Sequence, residues 1–411
     1  MNYEKKFSVP HYDRFSGKYK DVFYDMYKNA SQEYINSIHD IYFGKYFYYR
    51  HNEVNKFWGN AMGVEATDEQ IDNLFKLQDE LGIEISLTMN SIDCPYEIIY
   101  DEVVRNNFVN WIGNFYDRGL RSCTIASEHL MRQGILQDRC PDMRWKSTVN
   151  QICADAQQLI DLAYLGYNTI LLDRSLNRNL PELKRIKKAQ DYLNSKKPVK
   201  KLLTSLLVSE SCIYRCPFKR EHDSVGEHIS TGYFNKIADL SCNGWRGNGN
   251  DFRDLPRSGI NLVVSTAENF NTFSNLVDIF KHSGRLTNPI FSSDTLDNMK
   301  AVWFYTPNEE KFKQSTTSVQ ETVYCDNFDE IIANNLIPIH SWIPGWIDTS
   351  IVKNDWRMTY KKYEGLWSTD TGKKLEHVLT TCKSQCWDCH LCEDVYNQPR
   401  IDSALQLRKV Y

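Results

Sequence analysis

Short β-rich runs recur between residues 36 and 290, and a polar turn and an amphipathic stretch follow several of them. This alternation is typical of parallel βα units. Seven runs are predicted to be strands: Ile38–Gly44, Ile83–Met89, Ser122–Ser127, Trp145–Val149, Thr169–Asp173, Leu202–Ser209 and Ile260–Ser265. An eighth strand is not evident from the pattern.

The connecting segments carry helical periodicity. Residues Asp68–Gln78 have apolar side chains at helical spacing after Thr67, a suitable N-cap, and Asp155–Leu165 ends at Gly166, a suitable C-cap. No predicted strand is followed by Gly-x-Gly-x-x-Gly, so a closed barrel is favoured over a doubly wound nucleotide-binding sheet. The expected fold is α/β, a parallel (β/α) TIM-like barrel that is incomplete or distorted if the eighth strand is missing.

The βα rhythm fades after about residue 290, and the following tryptophans lie among Pro, Asn and Lys residues: Trp303, Trp342, Trp346, Trp356 and Trp367. The pattern therefore predicts an N-terminal extension over residues 1–35, a barrel over 36–290 and an irregular, cysteine-rich C-terminal extension over 291–411.

Composition changes this picture little. With 41% hydrophobic and 25% charged residues the chain resembles an ordinary globular enzyme, and its net charge of −4 gives no overall attraction to nucleic acid. The N-terminus lacks the apolar core of a signal peptide, and no apolar run is long enough to cross a bilayer. The expectation is a cytoplasmic protein with no membrane partner.

Twelve cysteines are many for a cytosolic chain, and their spacing suggests metal binding. Four of them form the C-terminal run Cys382-x3-Cys386-x2-Cys389-x2-Cys392. Such short gaps let the thiolates face one metal centre and resemble ferredoxin-type ligation, with structural zinc as the alternative. The first three also spell the Cys-x3-Cys-x2-Cys of radical S-adenosylmethionine enzymes, but that motif belongs near the start of a barrel.

A second cysteine set follows the sixth predicted strand, in the run from Glu210 through Cys212 and Cys216 to His222. Parallel barrels place their active sites at the carboxyl ends of strands, so these side chains are expected at the barrel mouth. Cys242 lies further along the same loop as a candidate third ligand. The fourth ligand of this site is either Cys325 or a molecule from outside the chain.

The Glu-Ser-Cys-x3-Cys-Pro-Phe-x3-His loop over residues 210–222, with Cys242 and the cysteine-rich tail, resembles peptidase family U32. The resemblance implies a barrel that carries a [4Fe–4S] cluster on Cys212, Cys216 and Cys242, in a family that includes oxygen-independent hydroxylation proteins acting on RNA or a ubiquinone precursor. The chain departs from the family signature, which has a longer gap between its first two cysteines.

Other polar residues follow predicted strand ends and are candidates to contact a substrate. Two adjacent pairs stand out because each couples a carboxylate with a potentially cationic neighbour: Glu128 with His129, and Asp173 with Arg174. Together with Glu210 and His222 they are the predicted catalytic residues. Asn90 and Asn150 occupy similar positions. Four further cysteines lack partner spacing and are expected to be free and buried: Cys94, Cys123, Cys140 and Cys153.

The sequence thus favours an enzyme with one or two iron–sulfur clusters that performs redox or hydroxylation chemistry on a small-molecule, aromatic or nucleic-acid substrate with an electron-transfer partner. A scaffold protein with structural zinc is the alternative from another class. A peptidase has weaker support, because neither Gly-x-Ser-x-Gly nor His-Glu-x-x-His occurs.

Overall fold

The computed structural model describes residues 5–11, 24, 27–28, 32–60, 65–207, 267–281, 289–291, 301–303, 324–325, 373–374, 377, 381 and 386–390. Its strands, in chain order, are β1 (Phe7–Pro10), β2 (Ile38–Gly44), β3 (Tyr46–His51), β4 (Val54–Gly59), β5 (Glu84–Met89), β6 (Ser122–Ile125), β7 (Arg144–Lys146), β8 (Thr169–Leu171), β9 (Leu203–Leu207), β10 (Ile279–Lys281), β11 (Pro289–Phe291), β12 (Ala301–Trp303) and β13 (Tyr324–Cys325).

Eight of these strands close a parallel barrel in the order β1-β10-β9-β8-β7-β6-β5-β2, with β2 pairing back to β1. The predicted TIM-like barrel is confirmed, and its eight strands are complete. Outside the barrel, β3 and β4 form an antiparallel hairpin, and β11, β12 and β13 form a small antiparallel sheet.

The described α-helices are α1 (Gln32–Ser37), α2 (Asp68–Leu81), α3 (Tyr96–Tyr100), α4 (Glu102–Asp117), α5 (Glu128–Arg132), α6 (Ile135–Arg139), α7 (Ala156–Tyr164), α8 (Leu180–Ser195), α9 (Ala267–Ser274) and α10 (Cys386–Cys389). Short 3-10 turns cover Val149–Gln151 and Arg174–Arg178. The described helices are too short or too polar to span a bilayer.

Local sequence explains why the helices begin and end as they do. Thr67 and Gln70 form a reciprocal capping box at the start of α2, and Gly82 ends that helix in the left-handed conformation at φ 67°. Asp155 caps α7 by accepting a hydrogen bond from the Gln158 N–H. Both predicted helices are therefore present, and the first extends three residues beyond its predicted end.

Two barrel strands were not recognised in the sequence. β1 begins at Phe7, so the barrel starts inside the segment assigned to an N-terminal extension. β10 has only three residues and follows α9 directly in the same βα rhythm. Phe7 of β1 and Phe280 of β10 are fully buried, with their rings 6.5 Å apart. The predicted strand Ile260–Ser265 lies outside the described residues.

The main apolar core lies between the barrel wall and the helices around it. Residues of β2 and β5 at alternate positions, such as Ile41, Phe43, Ile85 and Leu87, are fully buried in it. Phe43 packs on Phe115 of α4 with ring centroids 6.3 Å apart. Since these positions face the helices, the other set of alternate positions on each strand faces the barrel interior.

Candidate functional site

The barrel interior is polar along β5, β6 and β7, whereas Leu171 of β8 and Leu207 of β9 form a small apolar cluster with Val149. Strand register aligns Thr88, Thr124 and Lys146 across β5, β6 and β7, and Ser86 with Ser122 one step below. The Ser122 and Ser86 hydroxyl oxygens are buried and 3.1 Å apart. Parallel barrels usually fill this space with branched apolar side chains. A polar interior therefore indicates a role beyond packing.

A buried ion pair crosses this interior. The Lys146 Nζ lies 2.5 Å from the Asp40 Oδ2, and the two side chains are 5% and 0% exposed. Lys146 ends β7 and Asp40 lies on β2, which are separated in the barrel wall by β5 and β6. Only side chains that point inward can meet across two intervening strands.

The pair sets the charge state of its surroundings. Burial opposes ionisation of Asp40, but the nearby Lys146 ammonium outweighs it and holds the pKa of this carboxyl below its usual range. Burial and then the Asp40 charge raise the pKa of Glu84, which lies beside Asp40 in strand register. The Oδ1 of Asp40 and the Oγ1 of Thr88 are buried without a hydrogen-bond partner among the described residues. These atoms have capacity for water or a ligand.

A second lysine enters the interior from the mouth side. Lys281 is the last residue of β10, and its Nζ lies 3.9 Å from the centre of the Tyr42 ring. It is 7% exposed and pairs in register with Ser8, which in turn pairs with Asp40. Lys146 and Lys281 are the last residues of their strands, whereas Asp40 is the third of the seven residues of β2.

The predicted catalytic residues that the structure describes lie in two different environments. Glu128 and His129 are exposed in the first turn of α5, directly after the Ser127 N-cap. Asp173 is buried, and its Oδ1 accepts a hydrogen bond of 2.9 Å from the Ser175 N–H, so it caps the 3-10 turn that follows β8. All of them lie beyond the carboxyl ends of strands, as predicted, but Asp173 already has this structural role.

Two asparagines join neighbouring loops at the mouth. The Asn150 Nδ2 donates a hydrogen bond of 3.1 Å to the Asn90 carbonyl oxygen, which connects the segment after β7 to the segment after β5. Asn150 itself is 8% exposed. The mouth on this side therefore has a fixed backbone on which polar groups can be positioned.

Most predicted metal ligands lie outside the described residues, as do two predicted catalytic side chains: Cys212, Cys216, Cys242, Cys382, Cys392, Glu210 and His222. Cys386 and Cys389 bound the single turn of α10, and the Cys389 side chain is exposed. Cys325 ends β13. Within the described part of the chain, no three His, Cys, Asp or Glu side chains cluster as a metal site. The predicted sites remain predictions.

The isolated cysteines are thiols rather than thiolates. Cys123, Cys140 and Cys153 are fully buried and free. Burial raises the pKa of Cys123 well above its usual range and that of Cys140 to about 11. Cys94 is free but half-buried, and burial raises its pKa to about 12. A protonated thiol is a poor ligand and nucleophile, so these residues are inert.

The sequence did carry a signal for the polar interior. Within β5 the polar residues Glu84, Ser86 and Thr88 alternate with apolar residues, and β7 contains two basic residues in three. A barrel strand that is buried on both faces normally consists of consecutive apolar residues. Polar alternation in such strands therefore indicates inward-facing positions such as Lys146, which belongs to none of the sequence motifs above.

Neither protein-family models nor curated proteins match the sequence. Among solved structures, the chain is similar to the U32 peptidase Mk0906, with a TM-score of 0.42 and 10% sequence identity over 68% of this chain and 92% of that chain. The barrel assignment rests on the strand pairing described above.

Proposed function

We propose that this chain is an enzyme whose active site lies at the carboxyl-end mouth of the barrel and uses an iron–sulfur cluster there. The observation that carries the proposal is the buried Lys146–Asp40 pair, which puts ionised groups inside the barrel, with Lys146 as the last residue of β7. Removing two charges from water costs several kcal/mol per ion, and a buried pair often repays this cost only in part. Groups of this kind concentrate at functional sites.

The position of the cysteine loop supports the cluster. β9 ends at Leu207 between β8 and β10, and the chain reaches Glu210 three residues later and Cys212 five residues later. We expect so short a connection to keep these residues near the mouth. Thiolates of Cys212, Cys216 and Cys242 would hold a cluster, with one position left for Cys325 or a molecule from outside the chain. The cluster would supply electron transfer.

The chain's own residues would hold the substrate. The Lys146 ammonium can donate hydrogen bonds to a carbonyl or hydroxyl oxygen of a substrate group that enters the mouth, while its hydrogen bond to Asp40 orients it. Redox or oxygen-independent hydroxylation of an aromatic or nucleic-acid substrate fits this arrangement best, with a separate protein or small molecule supplying electrons. The C-terminal cysteines would bind a second cluster, or zinc, that holds the tail.

Anaerobic purification of the full chain tests this proposal. We expect a brown protein with a broad visible charge-transfer band, and iron and acid-labile sulfide in stoichiometric amounts. A colourless protein that contains only zinc would contradict it and would favour the scaffold alternative, in which the cysteines serve structure alone.

A further inference from the structure

A cleft runs along one edge of the β3–β4 hairpin, between β4 and the chain at residues 91–97, which follows β5. Its volume is about 570 Å³, and every residue from Asn55 to Asn60 lines it. Successive side chains of a strand point to opposite faces, so a cleft that meets all of them lies along the edge of β4 and not over either face. The groups that β4 presents to this cleft are therefore those of its backbone.

The hairpin register shows which backbone groups face the cleft. Residues 52 and 53 both have positive φ, 47° and 64°, and form the two-residue turn between the paired His51 and Val54. In such a hairpin the two residues that flank the turn are hydrogen-bonded to each other, and bonded and non-bonded pairs then alternate along the strands. The N–H and C=O groups that point away from β3 thus belong to Asn55, Phe57 and Gly59.

Two hydrogen bonds agree with this assignment. The Gly59 carbonyl oxygen accepts a bond of 3.0 Å from the Ser91 N–H. On the other strand, the N–H of Tyr46, which pairs with Gly59 in register, donates a bond of 3.3 Å to the Glu65 carboxylate. Both groups therefore point out of the hairpin.

The next outward groups along β4 are unpaired. Asn55 and Phe57 are exposed, and their outward N–H and C=O groups have no hydrogen-bond partner among the residues that the structure describes. They offer two donors and two acceptors at alternate positions of one strand edge. Such an edge is a template for pairing with another extended chain.

Side chains on the inner face of β4 form the floor of the cleft. The Trp58 Nε1–H donates a hydrogen bond of 3.2 Å to the Ser91 carbonyl oxygen, and the Lys56 ammonium bonds directly to the Glu97 carboxylate. These contacts fix residues 91–97 as a second wall opposite the strand edge. Because β4 of a second copy carries the same wall along its own free edge, that strand cannot enter the cleft. A single extended chain has no such obstacle.

We propose that the free edge of β4 binds an extended segment of a partner protein, which lies in the cleft and adds to the hairpin as a third strand. Alternating donors and acceptors of a strand edge recognise the main chain of such a segment. The ring of Phe57, 40% exposed, favours an aromatic or β-branched side chain on the residue that pairs with it. This binding surface goes beyond the proposed redox function and uses none of its residues.

Calorimetric titration of the full chain with the peptide acetyl-Thr-Tyr-Thr-Val-Thr-amide tests strand addition. The peptide should bind with one-to-one stoichiometry, with its Tyr and Val beside Phe57 and Asn55. Alternate amides of a bound strand face β4, so N-methylation of the Tyr and Val amides should weaken binding by at least about tenfold. N-methylation of the central Thr should have little effect. Equal weakening by both changes, or no binding of the parent peptide, would overturn the proposal.

Proline variants test the same edge from the side of the protein. Asn55→Pro removes an N–H that faces the cleft but none that joins β4 to β3, so it should weaken peptide binding by at least about tenfold without unfolding the hairpin. Arg50→Pro is the matched control, because Arg50 is the cross-strand partner of Asn55 and its N–H faces the opposite edge. This variant should bind the peptide like the wild type.

Unchanged binding by the Asn55→Pro variant, or equal loss in both variants, would contradict strand addition on β4. Gel filtration of the wild type and the Asn55→Pro variant identifies the occupant. A dimer that Asn55→Pro dissociates would place a second copy on this edge and overturn the proposal, whereas the same elution volume for both proteins is expected.

Discussion

Lys146 on β7 and Asp40 on β2 meet inside the barrel with 2.5 Å between Nζ and Oδ2, although two strands separate them in the wall. This contact ties opposite parts of the barrel together. It also means that the two side chains cannot be replaced independently, because either one alone is a buried charge without its partner.

Breaking the pair from one side should be costly. Lys146→Met or Asp40→Leu alone should lower the free energy of unfolding by about 3–5 kcal/mol, whereas the double variant should recover most of this loss. Urea denaturation of the four proteins measures the coupling. Additive effects in the double variant would show that the two side chains do not interact in solution. A folded double variant without activity would assign the pair to function rather than stability.

The histidine beside Asp40 should make the protein sensitive to acid. Burial lowers the pKa of His39 to about 4 from an unfolded value of 6.5, and its Nε2 has no hydrogen-bond partner among the described residues. Between these values the unfolded chain takes up a proton that the native state does not, so stability falls as pH decreases from 6.5 to 4.

Replacing this group by His39→Gln should flatten the pH dependence of unfolding in that window by roughly 1–3 kcal/mol. Denaturation curves at several pH values provide the measurement, and the exposed His129→Gln serves as the control that should follow the wild type. Identical slopes for His39→Gln and wild type would mean that His39 titrates normally in the native protein.

The barrel should also depend on its first strand. Removing residues 1–11 deletes β1, which fills the gap between β10 and β2 and buries Phe7 and Val9 completely. Loss of these two side chains alone costs several kcal/mol, comparable with the total stability of about 5–15 kcal/mol of many domains. We expect no cooperative unfolding transition by circular dichroism, whereas a chain that lacks only residues 1–4 should unfold normally. A stable shortened protein would restore the view that residues 1–35 are an extension.

Six of the eight barrel strands were predicted, including the three-residue β7 and β8, whereas β1, β10 and the two hairpin strands β3 and β4 were not. β2 has seven residues and was predicted at its observed bounds, and β9 was predicted with one extra residue before it and two after. β1 has four residues and β10 has three, and both strands pair in the barrel with strands that are distant in sequence. Local periodicity cannot contain that information.

The candidate site shows the same limit. Four candidate residues stand at or just after predicted strand ends in the sequence: Glu128, His129, Asp173 and Arg174. They lie beyond the carboxyl ends of the observed strands, because parallel topology fixes that relation. The meeting of Lys146 with Asp40 depends on barrel stagger, which brings together residues 106 positions apart. Sequence spacing reveals ligands that are close along the chain, such as the tail cysteines, but not groups that converge across a barrel.

The central claim is that cysteines of the loop after β9 hold an iron–sulfur cluster at the barrel mouth. Iron content of anaerobically purified Cys212→Ser, Cys216→Ser and Cys242→Ser variants tests it most directly, because serine's hydroxyl is a harder and far less acidic ligand than cysteine's thiol. Cys123→Ser is the control, since this buried thiol lies on β6 in the apolar core. Each of the three loop variants should lose one cluster's worth of iron and the associated visible absorbance, while the C-terminal site and the control keep theirs. Full iron content in all three loop variants would contradict the barrel-mouth cluster.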